Sequence, residues 1–243
     1  MRGRMPRHQQ GLALILVLWL LAVLGLAMAG VVSTVRQENR QSHELLQRSK
    51  ALSAAQGGVA LAIHGVLKDP LAASFDGRVV QATLDGVGLS LSVRSEHGKL
   101  DLNFARLEHV ERLFRQMGAS PASARSWIEQ MQKQRDAGKP LRHLPDLLST
   151  TTVDPELYRR MLPYVTLWGG DGVPQAAYAD PALIEALRLP STQVLANNPG
   201  SVLSIEVVAV TPDGVTATLR TTVQLTPEDS EASVFRTLWW QES

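Results

Sequence analysis

No cysteine occurs in the 243 residues, which excludes disulfides, thiolate zinc sites and a cysteine nucleophile. Walker A, G-x-G-x-x-G and G-x-S-x-G runs are missing as well, so nucleotide, dinucleotide and hydrolase readings have no anchor. The six histidines, His8, His43, His64, His97, His109 and His143, never fall at H-x-x-x-H or a comparable spacing, and zinc is not suggested. Basic clusters are scarce. Three of the 24 basic residues, Arg2, Arg4 and Arg7, precede Gly11, and the remainder sets 21 bases against 23 acids. No Lys/Arg run survives outside the first few residues, so no nucleic-acid partner is expected. The stretch "QMGASPASA" could be compared with a DNA-binding helical hairpin, but it lacks the second glycine and has no basic cluster beside it.

Acidic residues are absent before Glu38, and charge of either sign is absent from Leu12 to Val32. A helix over those 21 residues would reach roughly 30 Å, about one bilayer hydrocarbon core. The arginines on its N-terminal flank predict residues 1–11 on the cytoplasmic side and the bulk of the chain beyond residue 33 on the other. Three readings of the run compete. A plain anchor is one. A cleavable secretory signal is the second, since Ala27-Met28-Ala29 is a small-x-small site that would start a soluble product at Gly30; the run is longer than the usual signal core of about 7 to 15 residues. The third is a prepilin leader, in which "RHQQG" is removed between Gly11 and Leu12 on the cytoplasmic face and the apolar helix is kept.

The segment beyond the run favours retention. From Arg36 the pattern is helical, with Leu45, Leu52, Val59 and Val66 spaced by seven and Ala55, Ala62 and Ile63 beside them. This stalk ends before Pro70. Gly57 and Gly58 each weaken an isolated helix by about 1 kcal/mol relative to alanine, so packing has to offset them. The simplest partner for the C-terminal half of the stripe is the protein's own sheet.

After Pro70 the period changes to two. "RVVQATL", "DGVG" and "LSLSVRS" read as a hairpin with Leu89, Leu91 and Val93 on one face. Near the C-terminus "SIEVVAV", a "TPDG" turn and "VTATLRTTVQL" repeat the theme, with Val215, Ala217, Leu219, Val223 and Leu225 alternating. The acidic loop "TPEDSE" comes next, and then a last strand, "SVFRTLWW"; alternation puts Trp239 and Trp240 on opposite faces, one toward the core and one toward solvent. Between these β ends the chain reads as helices. Val110, Leu113, Phe114 and Met117 follow i, i+3, i+4, i+7, and so do Ala124, Trp127, Ile128 and Met131. Ser120-Pro121, Asp154-Pro155 and Asp180-Pro181 each give a side-chain cap with proline at the first helical position. "GGDG" at Gly169–Gly172 reads as a turn. The expected fold class is α+β: a long N-terminal helix and an antiparallel sheet, with an all-α domain inserted between strands, an arrangement that the resemblance given next makes pilin-like. The expected divisions are 1–11 leader, 12–32 transmembrane helix, 33–69 stalk, 70–100 hairpin, 101–192 helical insert and 193–243 C-terminal strands.

The order of these pieces resembles the minor pseudopilin K family of the bacterial type II secretion system. The likeness spans nearly the whole chain. It rests on the leader and apolar run, on "GKLDLN" (Gly98–Asn103), on "LPDLL" and "LYRRMLPYVTLWGG", and on the final "FRTLWW". It implies a non-enzymatic, single-pass inner-membrane protein with a cytoplasmic N-terminus and a periplasmic bulk. Prepilin peptidase would cut after Gly11 and the new N-terminus at Leu12 would be methylated. Leu12, Leu16, Trp19 and Val32 would belong to the membrane and assembly helix. The implied partners are minor pseudopilins I and J at the pseudopilus tip, the major pseudopilin, prepilin peptidase, the inner-membrane secretion components and the lipid bilayer. Most pilin-like proteins carry a glutamate five residues into the mature chain, where this one has Leu16. A glutamate buried in a membrane is costly unless it pairs with the N-terminal ammonium of the subunit ahead, and a tip subunit has none ahead.

Two departures stand out. The family's asparagine-rich second helical start is replaced by "VPQAAYADPALIEAL", and its acidic loop is reduced to "QMQKQRDAGKPLRHLP". Some relatives bind calcium through such loops. Asp136, Asp171 and Asp180 are the few candidates here, without the dense D-x-D spacing of a calcium loop, so no cofactor is expected and no ligands are assigned. A minor pilin of a type IV pilus or competence system is the alternative within the same architecture. A soluble periplasmic domain released after Ala29 is the alternative from another class.

Overall fold

The structure, a computed structural model, describes residues 8–69, 74–150, 154–190, 198–226 and 233–243, with the backbone alone at 8–16, 27, 29–35 and 149–150. Residues 1–7 of the leader, Pro70, most of "TPEDSE" and the division at 192/193 lie outside the described residues. The chain forms two compact units, 1–50 and 51–243. One element contributes to both: α1, His8–Lys68. No proline falls within it, so no ring removes an i→i−4 bond. Pro70 then disfavours the α region at Asp69 and closes the helix.

In the second unit the C-terminal part of α1 lies on a five-stranded sheet. Ala51, Ala54, Ala55, Val59, Ala62, Ile63 and Val66 are buried, most of them in one cluster with the inward side chains of the strands. The expected stripe is therefore realised from residue 51 onward, and burying a Val or Ile side chain of this kind stabilises by roughly 1.5–3 kcal/mol. Leu45, in the first unit, is exposed. Small residues set how closely this part of the helix meets the sheet: a Cβ built on Gly58 would come 2.7 Å from Val207 and 3.1 Å from Leu91. The cost of Gly58 to the helix is thus the condition of its contact with the sheet.

The strands are β1 (Asp76–Leu84), β2 (Val87–Ser95), β5 (Val202–Val210), β6 (Thr216–Leu225) and β7 (Phe235–Glu242), in the spatial order β1-β2-β5-β6-β7. Every neighbouring pair in this sheet is antiparallel. The fold is α+β, as the pattern predicts. Alternation does the sorting: Val87, Leu89 and Leu91, then Leu203, Ile205, Val207 and Ala209, then Ala217, Leu219 and Val223 are buried, with polar residues between most of them. β1 and β2 join through Asp85-Gly86, both at positive φ, the geometry of the two-residue hairpin turn that matches strand twist.

The helical insert sits in the connection between β2 and its neighbour β5. It contains α2 (Leu107–Gln116), α3 (Pro121–Asp136), α4 (Asp146–Thr150), α5 (Pro155–Met161) and α6 (Pro181–Leu187). Each Ser/Asp-Pro start is a helix start. Ser120 accepts from Ser123 N–H, Asp154 from Glu156 N–H and Asp180 from Ala182 N–H, satisfying one orphan donor apiece. Val110, Leu113, Phe114, Ala124, Trp127 and Met131 form a core separate from that of the sheet. One expectation needs correcting. The insert is not all-α, because β3 (Leu100–Asp101) pairs in parallel with β4 (Val165–Thr166).

Candidate functional site

Gly11, Leu12, Leu16, Trp19 and Val32 all fall on α1. The side chains of all but Trp19 lie outside the described residues. Trp19 is 69 % exposed, and every large apolar side chain described from Val17 to Met28 is more than half exposed. A helix that is apolar all round is stable only when lipid or other helices surround it. Among the described residues, no helix is long and apolar enough to cross a membrane; the side chains at both ends of the Leu12–Val32 run are outside that set.

Two of the fragments behind the family resemblance meet in space. "GKLDLN" supplies β3 and "YVTLWGG" supplies β4, with Leu100 opposite Val165 and Asp101 opposite Thr166. Asp101 is fully buried. Its carboxylate accepts from Asn103 N–H at 2.8 Å and Gly170 N–H at 2.9 Å, while its carbonyl accepts from Ala105 N–H at 2.7 Å. Asn103 holds Leu141 through both backbone groups, accepting from its N–H at 2.9 Å and donating to its carbonyl at 3.1 Å. Arg135, at the end of α3, donates to the carbonyls of Leu102 and Ala105, both at 2.7 Å. Burial lowers the pKa of this guanidinium, and the Asp101 charge opposes that shift.

A second polar group fastens the insert to the sheet. Glu96 is buried, and its Oε1 accepts from Lys99 Nζ and from the Ser204 hydroxyl on β5. Lys99 Nζ also donates to Ser204 at 2.9 Å. A buried charge pair contributes little net stability, yet removing one partner strands the other at a cost of about 3–5 kcal/mol. Farther along, Arg94 on β2 lies 3.8 Å from Asp180, the α6 cap. These polar contacts tie the core of the insert to that of the sheet.

No protein-family model matches the chain, and no curated protein matches it in sequence. Solved structures resemble it only distantly. Among them is the crystal structure of the GspK–GspI–GspJ complex from the type 2 secretion system of enterotoxigenic Escherichia coli, at 13% identity and a TM-score of 0.48, over 86% of this chain and 99% of the other. A likeness this remote gives no residue of the present chain a role.

The remaining candidates separate by geometry. Asp136 accepts from Gln132 Nε2 at 2.7 Å, Asp180 caps α6 and Asp171 is exposed. No three His, Asp or Glu side chains are grouped to hold a metal ion among the described residues. Trp239 and Trp240 do not divide into one buried and one exposed ring: both are partly exposed, at 39 % and 41 %. The reason is position, since among the described residues β7 pairs with β6 alone and lies at the edge of the sheet. Trp240 Nε1 donates to Glu242 at 2.9 Å.

No spacing in the sequence marks His109 on α2. Its Nδ1 is buried without a partner among the described residues. Burial, then the charges of Arg112 and Arg106, lower its pKa from the ordinary 6.5. The folded chain thus resists a proton that the unfolded chain accepts. Its contribution to stability is intact above the ordinary value and is lost as pH falls through it. The melting temperature should drop between about pH 7.5 and about pH 5.5, and His109→Gln should make that drop shallower. An unchanged slope in the variant would remove His109 as its source.

Proposed function

We propose that this chain is a non-enzymatic assembly subunit, a minor pseudopilin of a type II secretion system, held in the inner membrane by Leu12–Val32 until it is drawn into a filament. The observation that carries this reading is α1 itself. One helix has an apolar stretch whose described side chains, from Val17 to Met28, are exposed, and a last part buried on the chain's own sheet. Such an element suits a subunit whose body is rigid and whose free helix associates with lipid and with other helices. The basic leader ending at Gly11 supports removal of residues 1–11 by prepilin peptidase, with methylation at Leu12. Leu16 in place of the usual glutamate supports a tip position beside minor pseudopilins I and J, because a terminal subunit has no ammonium ahead to neutralise a buried carboxylate.

The test is the N-terminal sequence of the mature protein. The reading expects Leu12; a start at Gly30 would show signal-peptidase release and end it. Gly11→Ala should abolish processing, leaving a species heavier by the leader on intact-mass measurement. Co-purification of the full chain with the minor subunits of its own secretion system, rather than with type IV pilins, then distinguishes the two filament assignments.

A further inference from the structure

The two edges of the five-stranded sheet differ. β7 discourages further pairing through its own residues: Arg236 and Glu242 put charge near its two ends, and a register shift opposite Thr222 and Val223 breaks its ladder in mid-strand. Charge and irregularity of this kind are how edge strands avoid adding a neighbour. β1 pairs with β2 alone among the described residues, and its register shift falls early, between Asp76 and Val79. From Val79 to Leu84 the pairing is regular, with neither charge nor proline. This stretch presents roughly 20 Å of backbone edge whose outward N–H and C=O groups have no ladder partner.

The side chains show the same incompleteness. Cross-strand partners share a face, and on the face toward α1 the rows of the core run to β1 and stop there. Leu219, Val207 and Leu91 are buried in one such row, but Val80, which ends it, is 56 % exposed. On the other face Val79 is equally exposed. Beside it Ser90 Oγ donates to Gln81 Oε1 at 3.1 Å, which leaves the Gln81 amide its own N–H donors. Charges of opposite sign flank the stretch: Arg78 stands before it and Asp85 in the turn after it, both exposed. Arg78 reaches Asp76 only at 3.6 Å.

We infer that β1 takes up an extended antiparallel strand from a partner protein. Antiparallel pairing is the form of every neighbouring pair in this sheet and gives the slightly stronger ladder. The incoming strand alternates: apolar side chains beside Val80, Ala82 and Leu84 lengthen the rows of the core, and polar ones beside Gln81 and Thr83 continue the other face. It carries a base toward Asp85 at its N-terminal end and an acid toward Arg78 at its C-terminal end. A second copy of this chain fits less well. Self-pairing that keeps each face on its own side sets opposite one another only residues an even number of positions apart, and Arg78 and Asp85 are an odd number apart. Their charges would not meet. This inference does not rest on the filament reading.

The experiment uses the full chain, ¹⁵N-labelled, in detergent micelles, and reads amide hydrogen exchange residue by residue along β1. The first probe is the blocked peptide Lys-Val-Thr-Val-Thr-Val-Thr-Glu. A second has the charged ends exchanged. A third has proline at the middle valine and at the threonine after it, one of which must lose a ladder donor. Saturable protection of alternate amides between Val79 and Leu84 by the first peptide, weaker with the exchanged ends, absent with the proline peptide and weakened at least about tenfold by Val80→Lys, supports the proposal. Asp85→Asn, which keeps the turn, should narrow the preference between the two charge patterns. No protection by the first peptide, equal protection by the proline peptide, tighter binding of the exchanged peptide or unchanged affinity in Val80→Lys would overturn it. Protection that grows with protein concentration alone would place a second copy on the edge and overturn it too.

Discussion

Asp101→Ala should lower the unfolding free energy by about 2–3 kcal/mol, because two part-buried backbone donors lose their acceptor at once and a stranded donor costs about 1–3 kcal/mol, least where water can reach it. Those donors, Asn103 N–H and Gly170 N–H, belong to segments far apart in sequence. The carboxylate is what fixes the chain after β3 to the chain after β4. Arg135 would also lose the nearby negative charge that favours its protonated form. Urea unfolding of the full chain in micelles, followed by fluorescence of Trp127 and Trp168, reads this directly. Asp101→Asn keeps one acceptor oxygen and turns an N–H₂ toward the other donor, so about half the loss is expected. A loss below about 1 kcal/mol for the alanine variant would mean that water replaces the carboxylate, and that the clasp is not what holds the insert.

The second large effect comes from two glycines whose added Cβ atoms would clash at similar distances with opposite consequences. On Gly98 a Cβ would stand 2.3 Å from the carbonyl oxygen of Tyr178 and 2.6 Å from its carbon. Both are backbone atoms, and Tyr178 is further held edge-on to Phe75 with centroids 6.3 Å apart. Relief requires moving one chain segment, so Gly98→Ala should destabilise by about 3 kcal/mol, the upper range for overpacking. On Gly57 the Cβ would meet only Leu84 Cδ2, at 2.5 Å. That is the end of a flexible side chain at the partly buried tip of β1, and alanine gains about 1 kcal/mol in helix propensity. Gly57→Ala should therefore be neutral or mildly stabilising. Equal losses in the two variants, measured by the same urea titration, would contradict this distinction.

Local chemistry makes much of the fold legible in advance. Ser120, Asp154 and Asp180 cap helices because a short polar side chain before proline at the first helical position satisfies its own neighbourhood, whatever lies elsewhere. The hairpin around Asp85-Gly86 and the alternating strands near the C-terminus are equally local. Contacts between distant segments are not legible. Leu100–Asp101 and Val165–Thr166 are too short to register as strands, although the alternation in "LDL" and "VTL" is a faint signal of them. Gly169-Gly170 reads as a turn, which hides the role of Gly170 as a donor to Asp101. The motif residues look like marks of function and prove to be structural fastenings. Of α1, the apolar run and the glycine pair are visible in the sequence. Which strands the glycines meet depends on sheet order, and no local pattern carries that.

The placement of the insert also bears on the order in which the molecule can form. β2 and β5 are central neighbours in the sheet, yet Ser95 pairs with Leu203, roughly 100 residues later. Closing so long a loop is entropically unfavourable, and central strands cannot be deferred. An insert with its own apolar core changes the problem. Once that core has condensed, β3 lies beside β4, Ser95 donates to the Pro199 carbonyl and the contact of His97 with Gln175 joins the two flanks. The two ends of the excursion then stand a strand's width apart, and the pairing that looks most remote along the chain becomes a short closure between neighbours.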